Sequence, residues 1–158
     1  GTGPKAGGPH YVSRFSALLT TDTPPVVGAP AHSITMPGPT GESNTLYLKP
    51  RLPLLCLGPG AEVAEAQRQH VESLGGTGIV VDNPDPATLE TRTDFSGVIW
   101  WGEASIGREL ALALARRTGP IIPLITDYPD VAHVYFERHV CIDTTASGGN
   151  AELLALVS

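Results

Sequence analysis

The sequence has little positive charge, few cysteines and no long apolar run. Its 10 Lys and Arg against 16 Asp and Glu give a net charge of -6, which argues against a nucleic-acid partner because phosphate neutralisation needs clustered basic residues. No run approaches the roughly 20 apolar residues of a membrane span, and no signal peptide is visible. We therefore expect a cytoplasmic protein that neither binds nucleic acid nor spans a membrane.

The two cysteines, Cys56 and Cys141, lie far apart in apolar surroundings. Neither belongs to a Cys-x-x-Cys pair or to a Cys/His spacing typical of metal ligands, so we predict no metal site. Both are predicted to be reduced core residues, as expected in the cytoplasm. Charged residues make up only 16% of the chain and apolar ones 41%, a composition that predicts a folded domain rather than disorder.

Glycine and proline, by contrast, are concentrated before residue 44. Residues 1–9 hold four Gly and two Pro, residues 10–19 are compatible with a short helix, and residues 21–43 carry five prolines. The prolines of residues 21–43 predict a linker or an extended arm. Because the chain starts at Gly1 without an initiator Met, we expect it to be part of a longer polypeptide.

From residue 44, apolar runs alternate with helical patterns. Strands are predicted at 44–50, 53–58, 77–82, 96–102, 119–126 and 140–143, and helices at 61–76, 84–90, 103–118 and 130–140. Pro123 predicts that the strand at 119–126 lies at an edge of the sheet or contains a bend. This order predicts an α/β fold with a Rossmann-like, doubly wound, mainly parallel sheet, preceded by a Gly/Pro-rich arm. We expect the arm at 21–43 to pair with another chain or with a further module of the polypeptide, because the strand at 44–50 follows it without a helical crossover.

The two longest predicted helices each have one apolar face. The first ends in two glycines, a natural C-terminal cap. The apolar faces consist of Ala64, Val71 and Leu74 in the helix at 61–76, and of Ile106, Leu110, Ala113 and Leu114 in the helix at 103–118.

The turn "LGPGAEVA" resembles a dinucleotide-binding fingerprint between strand and helix. Gly58 and Gly60 are the candidate cofactor-binding glycines, and Asp82 ends the next strand, where an acidic residue would hold a ribose. Against this, Pro59 removes one backbone N–H, and Glu62 places a carboxylate in the first helical turn. The alternative is a tight strand-to-helix turn without a ligand.

A second glycine turn lies in "VIWWGEASIGRELALALARR", where Gly102 and Gly107 flank Glu103. A carboxylate there complements the helix dipole from within and repels a bound phosphate. We expect Trp100 and Trp101 to pack on the two faces of the sheet rather than to stack on a base.

No catalytic residue is predicted. His139 and Cys141 share one face if their segment is extended, but a thiol nucleophile also needs an orienting group and an oxyanion site. The sequence shows neither.

Three segments together resemble long bacterial proline utilization A proteins, over essentially the whole chain: "GTGPKAGGPHY" (1–11), "MPGPTGESNTLYLKPR" (36–51) and "TTASGGNAELLALV" (144–157). In such proteins, a FAD-dependent proline dehydrogenase and a NAD-dependent glutamate-semialdehyde dehydrogenase share one polypeptide. The resemblance implies that this chain joins the end of the dehydrogenase module (1–20) and an arm (21–43) to a degenerate aldehyde dehydrogenase domain (44–143) and a tail (144–158).

The resemblance also implies roles for particular segments. Gly1, Thr2 and Gly3 would be the remnant of a loop that anchors the substrate carboxylate, and the tail would help to close the tunnel for the intermediate. The tail motif consists of Gly148, Gly149, Asn150, Leu153 and Leu154. The implied partners are the other modules of the same polypeptide, in a homo-oligomer.

Two positions depart from an active aldehyde dehydrogenase. Glu103 replaces the usual Ser at the turn, and Leu124 stands where the catalytic glutamate would be. These departures imply a non-catalytic domain without a cofactor of its own, while FAD and NAD belong to the parent enzyme. The alternative is a functional NAD(P)-binding domain.

Overall fold

The computed structural model describes residues 32–82 and 85–143. The expectations for residues 1–20, including Gly1, Thr2 and Gly3, lie outside the described residues. So do those for the tail motif, whose members are Gly148, Gly149, Asn150, Leu153 and Leu154. The described residues form a parallel sheet flanked by helices and, beside it, an antiparallel sheet.

Four short strands form the parallel sheet. They are β3 (Leu54–Cys56), β4 (Gly78–Val80), β5 (Gly97–Ile99) and β6 (Leu124–Ile125), arranged in the order β4-β3-β5-β6. Every residue of β3 and β5 is buried, as expected for central strands covered on both faces. Pro123 precedes the edge strand β6, which confirms its predicted position. The predicted α/β, Rossmann-like fold is confirmed.

Helices cover both faces of this sheet. On one face, α1 (Gly60–Ser73) packs Ala64 and Val71 into a core with Leu54, Cys56 and Ile99. On the other face lie α2 (Pro86–Thr91) and α3 (Ala104–Ala115). The helix that follows β3 and the helix that follows β5 thus lie on opposite faces of the sheet. The direction in which successive strands are added reverses between these two strands.

The predicted apolar face of α1 is confirmed, since Ala64, Val71 and Leu74 are all buried. The face predicted for α3 is wrong at one position. Ile106 is 40% exposed, and Gly107 lies on the buried face instead. Trp100 packs beside this glycine: a Cβ on Gly107 would lie 3.3 Å from Cδ1 of its ring.

The antiparallel sheet corrects the prediction for residues 130–140. Only α4 (Val131–Val134) is helical, and β7 (Tyr135–Asp143) follows as a strand. The nine residues of β7 pair with β2 (Glu42–Pro50), and this long-range pairing overrides the local helical pattern.

A short strand, β1 (Ser33–Met36), completes the sheet in the order β1-β2-β7. β1 lies within residues 21–43, the segment that is predicted to be a linker or an extended arm. Within the chain, β1 pairs with β2, and β2 also pairs with β7. Because β1 is an edge strand, pairing of the arm with another chain or module stays a prediction. Leu46 and Leu48 share the buried face, as their alternation predicts.

The two cysteines differ in burial. Cys56 lies in the core, as predicted, whereas Cys141 is exposed, so its prediction is wrong. Cys141 lies opposite Asn44 of β2, near the end of β7. Among the described helices, none combines the length and apolar character needed to cross a membrane.

Candidate functional site

The candidate site is a cleft at the carboxyl ends of β3 and β5, where the strand order reverses. Ligands of open α/β sheets bind at this position. The cleft has a volume of about 300 Å³, and its lining includes Leu57, Gly60, Val81, Asp82 and Trp100. Two of the three predicted cofactor-binding residues, Gly60 and Asp82, thus lie on the same cleft, and Gly58 lies in the adjoining turn.

The turn between β3 and α1 requires glycine at its first position. Gly58 has φ +91°, and a Cβ there would lie 2.5 Å from the backbone N of Gly60. Gly60 has φ +78°, but a Cβ there would meet nothing within 4 Å. The backbone of Gly58 therefore lies in close contact with the backbone of Gly60, whereas the space next to the Cα of Gly60 is open.

Gln67 of α1 hydrogen bonds to this turn. The backbone N of Gly58 donates to Oε1 of Gln67 at 3.0 Å, and Nε2 of Gln67 donates back to the carbonyl of Gly58 at 3.0 Å. The same carbonyl also accepts from the backbone N of Trp101 at 3.0 Å. The amide that would cradle a phosphate already has a partner inside the fold.

Sequence reasoning missed Gln67. It is fully buried, on the face of α1 that also carries Ala64 and Val71. The sequence did contain a signal for this residue: Gln67 is a polar residue on the apolar face of the helix, and a buried amide must have hydrogen-bond partners.

The first turn of α1 offers little to an anion. Pro59 is the N-cap residue, so it contributes no N–H and its side chain forms no cap. Glu62 places an exposed carboxylate in the first turn, where it complements the helix dipole. A bound phosphate would be repelled by this carboxylate.

The second glycine turn is filled by Trp100. A Cβ on Gly102 would lie 2.4 Å from Cζ2 of the indole, so the ring lies directly against this glycine. Nε1 of Trp100 donates to the carbonyl of Glu103 at 3.0 Å. The ring therefore fills the space beside the start of α3.

The two tryptophans pack on opposite faces of the parallel sheet, as predicted. Trp100 is 7% exposed and belongs to the core beneath α3. Trp101 packs against the core beneath α1, and its Nε1 donates to the carbonyl of Asp127 at 3.0 Å. Its ring centroid lies 4.7 Å from that of Tyr128, so this ring also packs against a protein side chain.

The cleft holds few groups that could act in catalysis. Asp82 is the only titratable residue among the described residues that line it. Leu124 packs its aliphatic side chain against the core beneath α3, so it offers no acid or base. No cluster of three or more His, Cys, Asp or Glu that could hold a metal lies in residues 32–82 or 85–143.

The pair of His139 and Cys141, considered above as a possible thiol nucleophile with its base, lies in the antiparallel sheet and not at the cleft. His139 and Cys141 are two residues apart on β7, so they share a face, and both are exposed. Desolvation, together with a hydrogen bond to Glu42, raises the pKa of the Cys141 thiol. Burial raises the pKa of Cys56 to about 11. Both thiols are therefore protonated at neutral pH and are poor nucleophiles.

No protein-family model matches the chain. Two curated relatives do: bifunctional protein PutA of Salmonella typhimurium is 28% identical and that of Escherichia coli is 27% identical, each over 99% of this chain. The chain is homologous to these proteins. It spans only 17% of their length.

Solved structures of proline utilization A also match. A variant of the Bradyrhizobium japonicum protein is 26% identical with a TM-score of 0.41, covering 58% of this chain and 13% of its own. A structure of proline utilization A with proline bound in remote sites gives the same values.

Proposed function

We propose that this chain is a non-catalytic structural domain of a bifunctional enzyme that oxidises proline to glutamate. In this role it stabilises the dehydrogenase module and helps to enclose the tunnel through which the intermediate passes. The homology with PutA over nearly the whole chain supports a place in such a polypeptide.

The observation that carries the non-catalytic role is the internal occupation of both glycine turns. Gln67 takes the amide of Gly58, and the ring of Trp100 lies against Gly102. A dinucleotide needs free backbone amides and space for its pyrophosphate at such a turn. Since neither turn offers both, the residues present do not fit NAD.

The proposal includes the organisation of the chain. Residues 1–20 end the dehydrogenase module, and residues 21–43 form an arm whose strand β1 joins the antiparallel sheet. Residues 44–143 form the degenerate aldehyde dehydrogenase domain, and residues 144–158 carry the tail motif of the tunnel. FAD and NAD bind to the other modules of the same polypeptide, which assembles as a homo-oligomer in the cytoplasm.

The second candidate function is a working NAD(P)-binding domain. The placement of Gly60 and Asp82 on one cleft at the reversal of strand order favours it. The hydrogen bonds from Gln67, the missing N–H of Pro59 and the carboxylate of Glu62 count against it.

Two variants of the full polypeptide separate these functions. Asp82→Ala removes the carboxylate that would hold a ribose, and we expect the rate of NAD-dependent glutamate formation to stay within about twofold. A fall of more than tenfold, about 1.4 kcal/mol, would instead favour the NAD(P)-binding function.

The second variant lacks residues 44–158. We expect it to retain proline oxidation while releasing the intermediate into solution, where an external aldehyde-trapping reagent captures it. If the trapped fraction equals that of the intact polypeptide, the chain does not enclose the tunnel.

A further inference from the structure

A second concave surface lies at the opposite end of the parallel sheet. The loops that precede β3, β5 and β6, together with the start of β7, enclose a groove of about 430 Å³, which we call the basal groove. Its main side chains are Arg51, Leu52, Phe95, Arg117, Ile121 and Phe136.

Large apolar side chains are exposed in the basal groove. Ile121 is 92% exposed, Leu52 55% and Phe136 41%. Ile121 therefore contributes almost nothing to the core of its own domain. Apolar side chains that gather in one concavity with a polar rim are typical of an interaction surface, whereas scattered ones are not.

Two guanidinium groups are held in place in the groove. Cζ of Arg51 lies 3.8 Å from the ring centroid of Phe136, and its Nε donates to the carbonyl of Tyr135 at 3.1 Å. Cζ of Arg117 lies 4.9 Å from the ring centroid of Phe95, and its Nη1 donates to the carbonyl of Leu89. These contacts fix both cations before any partner arrives.

The groove is basic although the chain is acidic. The net charge of the chain is -6, yet no Asp or Glu occurs among the described residues that line the groove. Its chemical complement is an apolar side chain with a carboxylate nearby, since guanidinium groups bind carboxylates strongly and with defined geometry.

A two-fold contact between two basal grooves is electrostatically unfavourable. It would bring the guanidinium groups of both copies together, with no Asp or Glu among the described residues that line either groove. Two cations are also too few for a nucleic-acid site. The chain spans 17% of its curated relatives, so a polypeptide of their size holds many other segments, tethered at high effective concentration.

We infer that the basal groove binds a segment from another module of the same polypeptide, which presents a large apolar side chain within a few residues of a carboxylate. The apolar side chain packs between Leu52, Ile121 and Phe136, and the carboxylate pairs with Arg117. This inference rests on the proposed place in a longer polypeptide, but not on the lack of catalysis.

Thiol labelling of the full polypeptide tests whether the groove is covered. Ile121→Cys places a thiol in the groove, and Ala87→Cys places a control thiol at an exposed position of α2 outside it. Site-specific alkylation, quantified on the tryptic peptides, should be at least about tenfold slower at position 121 than at position 87. Equal rates would mean an open groove and would overturn the inference.

A photo-crosslinking amino acid at position 121 identifies the occupant. We expect a crosslink to a peptide outside residues 1–158 of the same polypeptide, with Asp or Glu close to the crosslinked apolar residue. Mixing isotopically light and heavy protein separates links within one polypeptide from links between copies. A link to a second copy, a link to residues 1–31 or 144–158, or no link at all would each overturn the inference.

A charge variant tests the carboxylate. Arg117→Met keeps an unbranched apolar side chain but removes the cation, and we expect the yield of the same crosslink to fall at least threefold. Arg116→Met is the control, because Arg116 pairs with Glu90 and does not line the groove. Equal loss in both variants would remove the carboxylate from the inference. None of these readouts depends on NAD binding or on flux, so they fail separately from the proposed function.

Discussion

The side-chain amide of Gln67 forms two hydrogen bonds with the backbone of Gly58, each with a donor–acceptor distance of 3.0 Å. Both residues are buried. A turn that would present its amide to a phosphate in a dinucleotide-binding domain therefore presents it to a glutamine of the following helix. The turn is complete without a ligand.

Gln67→Met should destabilise the domain. Methionine fills a similar volume but leaves the buried N–H of Gly58 without a partner, at a cost of about 1 to 3 kcal/mol, and loses a second hydrogen bond of about 1 kcal/mol. We expect the free energy of unfolding in urea to fall by about 2 to 4 kcal/mol. The matched control is Gln69→Met, since Gln69 is exposed and its Nε2 bonds to Glu65. Similar losses in the two variants would show that the paired bonds add little.

Gly102→Ala should destabilise the domain by steric overlap with Trp100. The new Cβ would lie 2.4 Å from Cζ2 of the ring, and displacing a packed ring costs about 1 to 3 kcal/mol. In a Trp100→Leu background this cost should largely disappear, as a double-mutant cycle would reveal.

Gly60→Ala provides the contrast for that cycle. Its Cβ meets nothing within 4 Å, so its cost comes from the backbone at φ +78° alone, about 1 to 2 kcal/mol. That cost should be the same with Trp100 or Leu at position 100. If the effects of Gly102→Ala and Trp100→Leu were also additive, the ring would not occupy the second turn.

Glu42→Gln should make the thiol of Cys141 more reactive. Desolvation first, and then the hydrogen bond and negative charge of Glu42, hold the pKa of this thiol above its usual value. Removing the carboxylate lowers the pKa, so more thiolate is present at pH 8 and alkylation by iodoacetamide becomes faster. The midpoint of the rate–pH profile should move to lower pH.

The buried thiol is the internal control for this measurement. Cys56, with its pKa raised to about 11 by burial, should react only after unfolding, in both proteins. An unchanged or slower rate at Cys141 in Glu42→Gln would mean that Glu42 does not set its pKa.

Hydrophobic periodicity predicted the elements whose burial is local in origin. The continuous apolar runs became the buried strands β3 and β5, and the spacing of Ala64, Val71 and Leu74 gave the buried face of α1. Such patterns predict which side chains are buried, but not which residues they contact.

The features that hydrophobic periodicity missed depend on particular partner residues. β7 is a strand because its nine residues pair with β2, in a register that sets Tyr47 opposite Arg138. The paired residues are about 90 positions apart in sequence, far beyond any local window. In α3, Gly107 lies on the buried face beside the ring of Trp100, whereas the apolar pattern predicts Ile106 there. Hydrophobic periodicity does not detect this contact, because glycine has no side chain.

The central claim is that both glycine turns are complete without a dinucleotide. Calorimetric titration of the folded 158-residue chain with NAD tests it most directly. We predict no heat of binding up to about 1 mM NAD, which means less than about 4 kcal/mol of binding free energy. A dissociation constant below about 100 μM, abolished by Asp82→Ala, would contradict the claim, because more than about 5 kcal/mol of specific contact needs a working site at the cleft.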